Sequence, residues 1–185
     1  MNCLTAGLIA LVACLGNPDP EIRDKVAFER LSAAMRKGDV DRETLATIES
    51  RLLKPADLAM QLALNPAITK PQLDRLLAAI AVQVSPKDST VAYWAGEPDR
   101  LARPVIFIAQ RKVHSDAEWK AWFEQVMDPK PLASWDQAFT SELGIKKHHN
   151  VRAFLLSIFA TASTSDDAGI RQLLEPVRSS LKLVQ

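Results

Sequence analysis

The sequence predicts an all-α fold of stacked antiparallel helix pairs, on three observations. A turn phrase occurs twice, Gly16-Asn17-Pro18-Asp19 with Arg23 and Gly96-Glu97-Pro98-Asp99 with Arg103, each time opening an apolar helical pattern. Gly, Pro and Asp at those offsets stop one helix and start the next, and the Arg lies one turn into the new helix. Helix-start signals also recur along the chain, and no stretch alternates apolar and polar residues as a strand does.

Taken in order, the first apolar run places Leu4, Leu8, Leu11 and Leu15 at helical spacing up to the first repeated turn. Ile22, Val26, Leu31 and Met35 form the next stripe, punctuated by Gly38. Val40 and Leu45 bracket Asp41 as a hydrophobic staple, with Ile48 and Leu52 continuing the buried face. Thr69 with Gln72 makes a capping box that Ile68 and Leu73 staple, and Leu73, Leu76, Leu77, Ile80 and Val84 carry that helix to Ser85-Pro86. Ser115 with Glu118 makes a second box before Trp119, Trp122, Phe123 and Val126, and Ser134 with Gln137 a third near Trp135 and Phe139. Met127-Asp128-Pro129-Lys130-Pro131 is a stiff internal linker. Val151, Phe154, Leu155, Ile158 and Phe159 give the broadest apolar face, and Ile170, Leu173, Leu174, Val177 and Leu181 continue around Pro176, which kinks that helix or begins a new one.

With 185 residues, 48% hydrophobic and 24% charged, the chain is a single domain over 1–185 able to bury a real core. Helix pairs of about 40 residues, none able to bury its face alone, describe a HEAT-like α-solenoid. An irregular helical bundle is the plainer alternative. A formal charge of +1 supplies no global field to hold nucleic acid, so no nucleic-acid partner is expected.

Cys3 and Cys14 both fall in the first apolar run, where helical spacing sets them about 16 Å apart along the axis. That is too far to pair, so they read as small buried thiols in a reducing compartment. Leu11-Val12-Ala13-Cys14 fits the bacterial lipoprotein processing pattern, but no Lys or Arg precedes Arg23 to supply the basic leader. The run from Leu4 to Leu15 also falls short of the roughly 20 residues that span a bilayer. The expectation is a cytoplasmic protein with no membrane partner, and the alternative is a lipoprotein anchored through Cys14.

Leu11 to Arg36, Ala56-Asp57-Leu58-Ala59-Met60-Gln61-Leu62-Ala63-Leu64-Asn65-Pro66, Gly96-Glu97-Pro98-Asp99-Arg100-Leu101-Ala102-Arg103 and His149-Asn150-Val151-Arg152-Ala153-Phe154-Leu155 resemble an uncharacterised bacterial family, domain of unknown function 2785. The resemblance covers most of the chain and implies a helical-repeat protein of the bacterial cytoplasm, with no activity attached. Family members carry a further helical stretch, introduced by a His-Gly pair, before the Ala-Asp-Leu helix. Here Lys54-Pro55 stands directly before Ala56-Asp57, so the resemblance implies a middle shortened by one or two helix pairs.

Few residues carry chemistry. Lys147, His148, His149, Asn150 and Arg152, with Lys146, read as a basic cluster at a helix start, where Asn150 is the N-cap and an anion would offset charge that opposes the helix dipole. The competing reading is a solvated turn with Arg152 in an internal ion pair. Adjacent His148 and His149 point about 100° apart on a helix and nothing completes a metal site, so no metal or cofactor is expected. His114 reads as an exposed loop residue ahead of its cap. Asp19 with Arg23 and Asp99 with Arg103 read as a structural ladder between adjacent units, because a catalytic pair would not be duplicated with its scaffold. Three tryptophans belong to apolar stripes; Trp94, beside Tyr93 in a turn, is the exception and lines a groove with Glu97 and Arg100. No phosphate loop, nucleophile elbow or paired-Cys motif is present.

The reading these features support is a protein–protein interaction or scaffolding module without catalysis. The alternative is a small-molecule or anion-binding protein, or an enzyme for an anionic substrate, at the Lys147–Arg152 segment.

Overall fold

The computed structural model describes residues 2–40, 56–87 and 91–185, and every regular element among them is helical. α1 (Leu8–Cys14) leads through a turn to a wide π-type stretch (Glu21–Phe28) that runs into α2 (Glu29–Lys37). Then come α3 (Ala56–Leu64), α4 (Lys70–Val84), α5 (Glu97–Gln110), α6 (Asp116–Val126), a 3₁₀ segment (Trp135–Thr140) and α7 (Glu142–Thr164). The single turn α8 (Ala168–Arg171) and α9 (Leu174–Leu183) close the chain. Of the Val40–Leu45 staple around Asp41 only Val40, which is buried, is among the described residues; Asp41, Leu45, Ile48, Leu52 and the Lys54-Pro55 junction lie outside them.

The π-type stretch follows from the spacing of the apolar stripe. Ile22, Val26, Leu31 and Met35 step by four, five and four residues, and a five-residue step stays on one face only where the helix is widened. The Glu29 N–H bonds the Asp24 carbonyl across that step, after which Leu31 and Met35 are fully buried. Gly38 ends α2 at φ 76°, a left-handed conformation suited to glycine, with the Asp39 N–H on the Ala34 carbonyl at 3.0 Å.

Two of the three capping boxes form. Gln72 Oε1 accepts from the Thr69 N–H at 3.0 Å, and Glu118 Oε2 accepts from the Ser115 N–H at 2.8 Å while Ser115 Oγ accepts from the Glu118 N–H. The third does not. Ser134 makes no side-chain cap, because Trp135 Nε1 is drawn to the Met127 carbonyl at 2.9 Å and the residues that follow coil as 3₁₀. The α-helical cap falls at Ser141, whose Oγ takes the Gly144 N–H at 3.1 Å. Pro176 begins a new helix rather than kinking an old one, since it lies in the first turn of α9, where its missing N–H has no helical partner to lose.

Helix neighbours fall into two rows. α3, α5 and α7 lie side by side, as do α4, α6 and α9, and contacts of α4 with α5 and α7, and of α7 with α9, join the rows. One continuous core runs between them from Leu11, Leu31 and Met35 through Leu62, Leu73 and Ile108 to Trp119, Phe123, Phe154 and Leu155. Trp122 Nε1 reaches into it to donate to the Leu77 carbonyl at 2.8 Å.

The N-terminal expectation is corrected. Cys3 and Cys14 are joined by a disulfide, with Cα atoms 6.1 Å apart. The helical assumption behind the estimated separation fails because α1 starts only at Leu8, and the non-helical residues before it double back along the helix. Leu4 is therefore exposed instead of continuing the stripe. Arg30 holds that returning segment, donating to the carbonyls of Cys3, Leu4 and Ala6 at 3.5, 3.0 and 3.1 Å. Disulfides persist in oxidising compartments, so the cysteines no longer argue for a reducing one, and the Cys14 sulfur is not free for lipid.

Two predictions follow from the packing. Reduction of the disulfide, or Cys14→Ser, costs about 2–3 kcal/mol by the loop-closure model, read as a lower thermal midpoint. In the same samples, mass spectrometry after maleimide treatment shows no label before reduction and two labels after it. Gly144→Ala costs about 1–3 kcal/mol because its Cβ would press into the Ala138 carbonyl, whereas Gly7→Ala, with open space around it, leaves the denaturant midpoint near wild type.

Candidate functional site at the seam of α5 and α7

The Lys147–Arg152 segment is not a helix start. α7 begins five residues before Lys147, and its first turn at Glu142 holds Lys146 in an ion pair at 2.5 Å, so the segment lies within the helix and Asn150 caps nothing. Its side chains instead dock the chain that leads from α4 to α5.

Lys147 is 2% exposed and its Nζ donates to the Ser85 and Pro86 carbonyls at 3.2 and 3.3 Å, at the C-terminal end of α4. Those carbonyls lie where a helix leaves its acceptors unfilled and its dipole is negative. Burial pushes the ammonium down to about 8, with Lys87 adding to the depression and Asp128 opposing it. Asn150 clamps the next stretch from both sides of its amide, Nδ2 donating to the Val91 carbonyl at 2.9 Å and Oδ1 accepting from the Tyr93 N–H at 2.8 Å. His149 Nε2 lies 2.9 Å from the Tyr93 carbonyl. A carbonyl only accepts, so that nitrogen carries a proton. The Tyr93 hydroxyl donates to the Gln83 carbonyl at 2.6 Å, and burial raises its pKa.

This clamp leaves Trp94 standing on the surface. The residue is 80% exposed and its ring stacks on His149, with centroids 5.1 Å apart and planes at 29°. Two adjoining hollows of about 260 Å³ each run from it along the seam. The first lies between Trp94, His149, Asp99 and Ser157; the second continues past Asp99 and Ser157 to Arg103, Phe107 and Thr161. Ser157 Oγ donates to Asp99 Oδ1 across the seam. Gly96, at φ 84°, turns the chain into α5, and Glu97 Oε2 accepts the Ala95 N–H at 2.7 Å, its carboxyl held below the usual range by backbone N–H groups. Glu97 thus braces the turn and Arg100 lies outside both hollows, so the groove beside Trp94 has Asp99 and Arg103 where Glu97 and Arg100 were expected.

The repeated turn does not form an Asp–Arg ladder among the described residues. Asp19 Oδ1 accepts the Glu21 N–H at 2.9 Å, Arg23 pairs with neighbouring Asp24 at 2.7 Å, and Asp99 bonds Ser157. Arg100, Arg103 and Arg152 are exposed and make no ion pair or side-chain hydrogen bond among the described residues. Cation-to-carbonyl contacts join the rows instead. Besides Lys147, Arg111 donates to the carbonyls of Ala63, Asn65 and Ile68 at 3.3, 3.0 and 2.9 Å around the end of α3. Sequence patterning missed Arg111, because carbonyl acceptors have no signature in the side chains.

His148 packs on Phe139, with ring centroids 4.7 Å apart, and burial lowers its pKa. His114 is buried, not exposed: Nε2 meets Asp74 Oδ1 at 2.7 Å, the ring packs on Trp119, and Nδ1 has no partner. Asp74 also meets Lys70, which bridges to Glu118 at 2.6 Å. That bridge is the main reason the Glu118 carboxyl is held down to about 2. His149 and Ser157 lie eight residues apart on one helix, a rise of about 12 Å, too far for a base to take the serine proton. Among the described residues no group of three His, Cys, Asp or Glu is placed to hold a metal.

A family model described as a protein of unknown function, DUF2785, matches residues 53–160. The chain belongs to this family. The DUF2785 stretch contains every residue of the seam from Trp94 to Ser157, whereas the disulfide, Asp19 and Arg23 precede it and α8 and α9 follow it. No curated protein and no solved structure matches the chain.

Lys147 gives this region a pH signature. The unfolded chain holds that proton up to about 10.5 and the folded chain only to about 8, so between those values the unfolded state binds more protons. Stability rises with pH across that window and levels off at its lower value below about 8, where both states hold the proton. Denaturant melts at pH 8 and 10 show this slope in the wild type and a reduced one in Lys147→Met.

Proposed function

We propose that this DUF2785 protein is a HEAT-like interaction module that binds a protein partner through the seam of α5 and α7 and has no catalysis of its own. The observation that carries the reading is Trp94. A large aromatic ring fixed in the open, beside a polar groove, has the character of an interface anchor, because its ordering cost is met before binding. The two rows of neighbouring helices support a repeat architecture, and a stack of repeats offers an extended face. The groups best suited to chemistry support it too, since Lys147, Asn150 and the Nε2 of His149 are already bonded to backbone.

A second reading, an anion or small-molecule site at the same seam, is favoured by Arg103 and Arg152, two exposed guanidinium groups on adjacent helices. Of the two, Arg103 lines the second hollow, where a bound carboxylate or phosphate would meet it. As to location, no helix among the described residues is long and apolar enough to cross a membrane. The cytoplasmic reading and the disulfide point in opposite directions, and the maleimide measurement separates them.

A photo-crosslinking phenylalanine in place of Trp94 tests the main reading, with the same residue in place of exposed Val82 on α4 as control. The expected result is a discrete crosslinked partner from position 94 alone. Equal crosslinking at both positions, or none, counts against the interface. Thermal stabilisation by inorganic phosphate that Arg152→Glu abolishes, without a crosslinked partner, favours the second reading.

A further inference from the structure

A large cleft lies away from Trp94. It has a volume of about 680 Å³ and runs between α6 and the α8–α9 segment. Both of its ends are fixed by contacts. At one end Lys112 meets Asp167 at 3.7 Å and Gly169 abuts the Ala109 carbonyl, which sets α8 beside the start of α6. At the other, His148 reaches the Val184 backbone and stacks edge-on with Trp135, whose Nε1 bonds the Met127 carbonyl; this holds the end of α9 near the end of α6. α6 and α9 therefore run side by side in the same direction.

The floor is apolar, made by Phe123, Met127 and Pro176, and Leu183 is 63% exposed on one wall. Along the α6 wall, Asp116, Lys120 and Glu124 recur every four residues and so share one face. None of the three makes an ion pair or side-chain hydrogen bond among the described residues. On the opposite wall Glu175 is satisfied by Arg178 at 2.6 Å. An apolar trough edged by an unpaired acidic, basic, acidic row is half of a helix-in-groove contact.

We propose that this groove receives an amphipathic helix of a partner protein, one with an apolar stripe flanked by basic, acidic and basic residues at i, i+4 and i+8. The apolar stripe covers Phe123, Met127 and Leu183, and the flanking row faces Asp116, Lys120 and Glu124. The required row reads the same in either direction, so the charges set the partner's register and leave its polarity open. A second copy of this chain is the wrong occupant. Two-fold pairing of the α6 walls sets Lys120 against Lys120 and Asp116 against Glu124, like charges throughout. The groove lies on a different face from Trp94, and the inference does not depend on the interface proposed there.

Fluorescence anisotropy with the full-length protein tests it, using two labelled peptides of about five helical turns. They share one leucine stripe and differ only in carrying Lys-Glu-Lys or Glu-Lys-Glu at the flanking positions. The Lys-Glu-Lys peptide binds at least about tenfold more tightly, and Leu183→Glu, a change at an exposed position, weakens it by a similar factor. Lys120→Glu weakens it as well, and replacing the peptide's central Glu by Lys restores binding to that variant. Equal affinity for both peptides, indifference to Leu183→Glu, failure of the charge-swap rescue or no binding at all overturns the proposal. So does dimerisation of the peptide-free protein that Leu183→Glu abolishes.

Discussion

The structure depends on cations that close off backbone carbonyls. A helix that ends inside a packed stack leaves carbonyls without partners in a place water does not reach well, and each unfilled acceptor is costly there. Arg111 donates to three carbonyls at and just past the end of α3, and Lys147 to two just past the end of α4. Arg30 does the same for the segment that returns along α1. In each case the cation comes from an element later in the chain, so one contact both terminates a segment and fixes a more distant helix against it.

The candidate site is a consequence of that arrangement. Once Lys147 has tied the end of α4 to α7, the chain between them must cross the same helix to reach α5. Asn150 and His149 lie one turn or less beyond Lys147 and take up the backbone polar groups of the crossing. With Tyr93 turned inward to Gln83, Trp94 has only the outer face of His149 to lie on. Its exposure is therefore imposed by the clamp beneath it. The same economy gives each histidine a structural partner: one braces a loop, one packs against Phe139, and one bridges to Asp74.

At the N-terminus a different device serves the same end. The short α1 has only seven residues, too few to be stable alone, and its apolar side needs a cover. The disulfide and Arg30 together hold the preceding segment there. The π-type stretch that follows keeps the apolar stripe aimed at α1 and α2 through a sequence step that an ordinary helix would rotate away.

Sequence by itself determined the helical class, most helix starts and the core-facing residues, because these are set by local hydrogen bonding and by the period of the apolar pattern. The boxes at Thr69 and Ser115, the stripe from Leu73 to Val84 and the buried face from Val151 to Ile158 all lie where side-chain spacing put them. The family was legible as well, from short runs of residues. What only the tertiary structure decided is where polar side chains find their partners. The Cys3–Cys14 pairing required the chain to reverse before α1, and burial of His114 required Asp74 from another helix. The basic cluster became a clamp, rather than a helix start, because Ser141 caps α7 upstream and the acceptors for Lys147 and Asn150 are carbonyls some sixty residues away in the chain. Backbone acceptors are identical at every residue, so nothing in the sequence marks which of them folding will leave open.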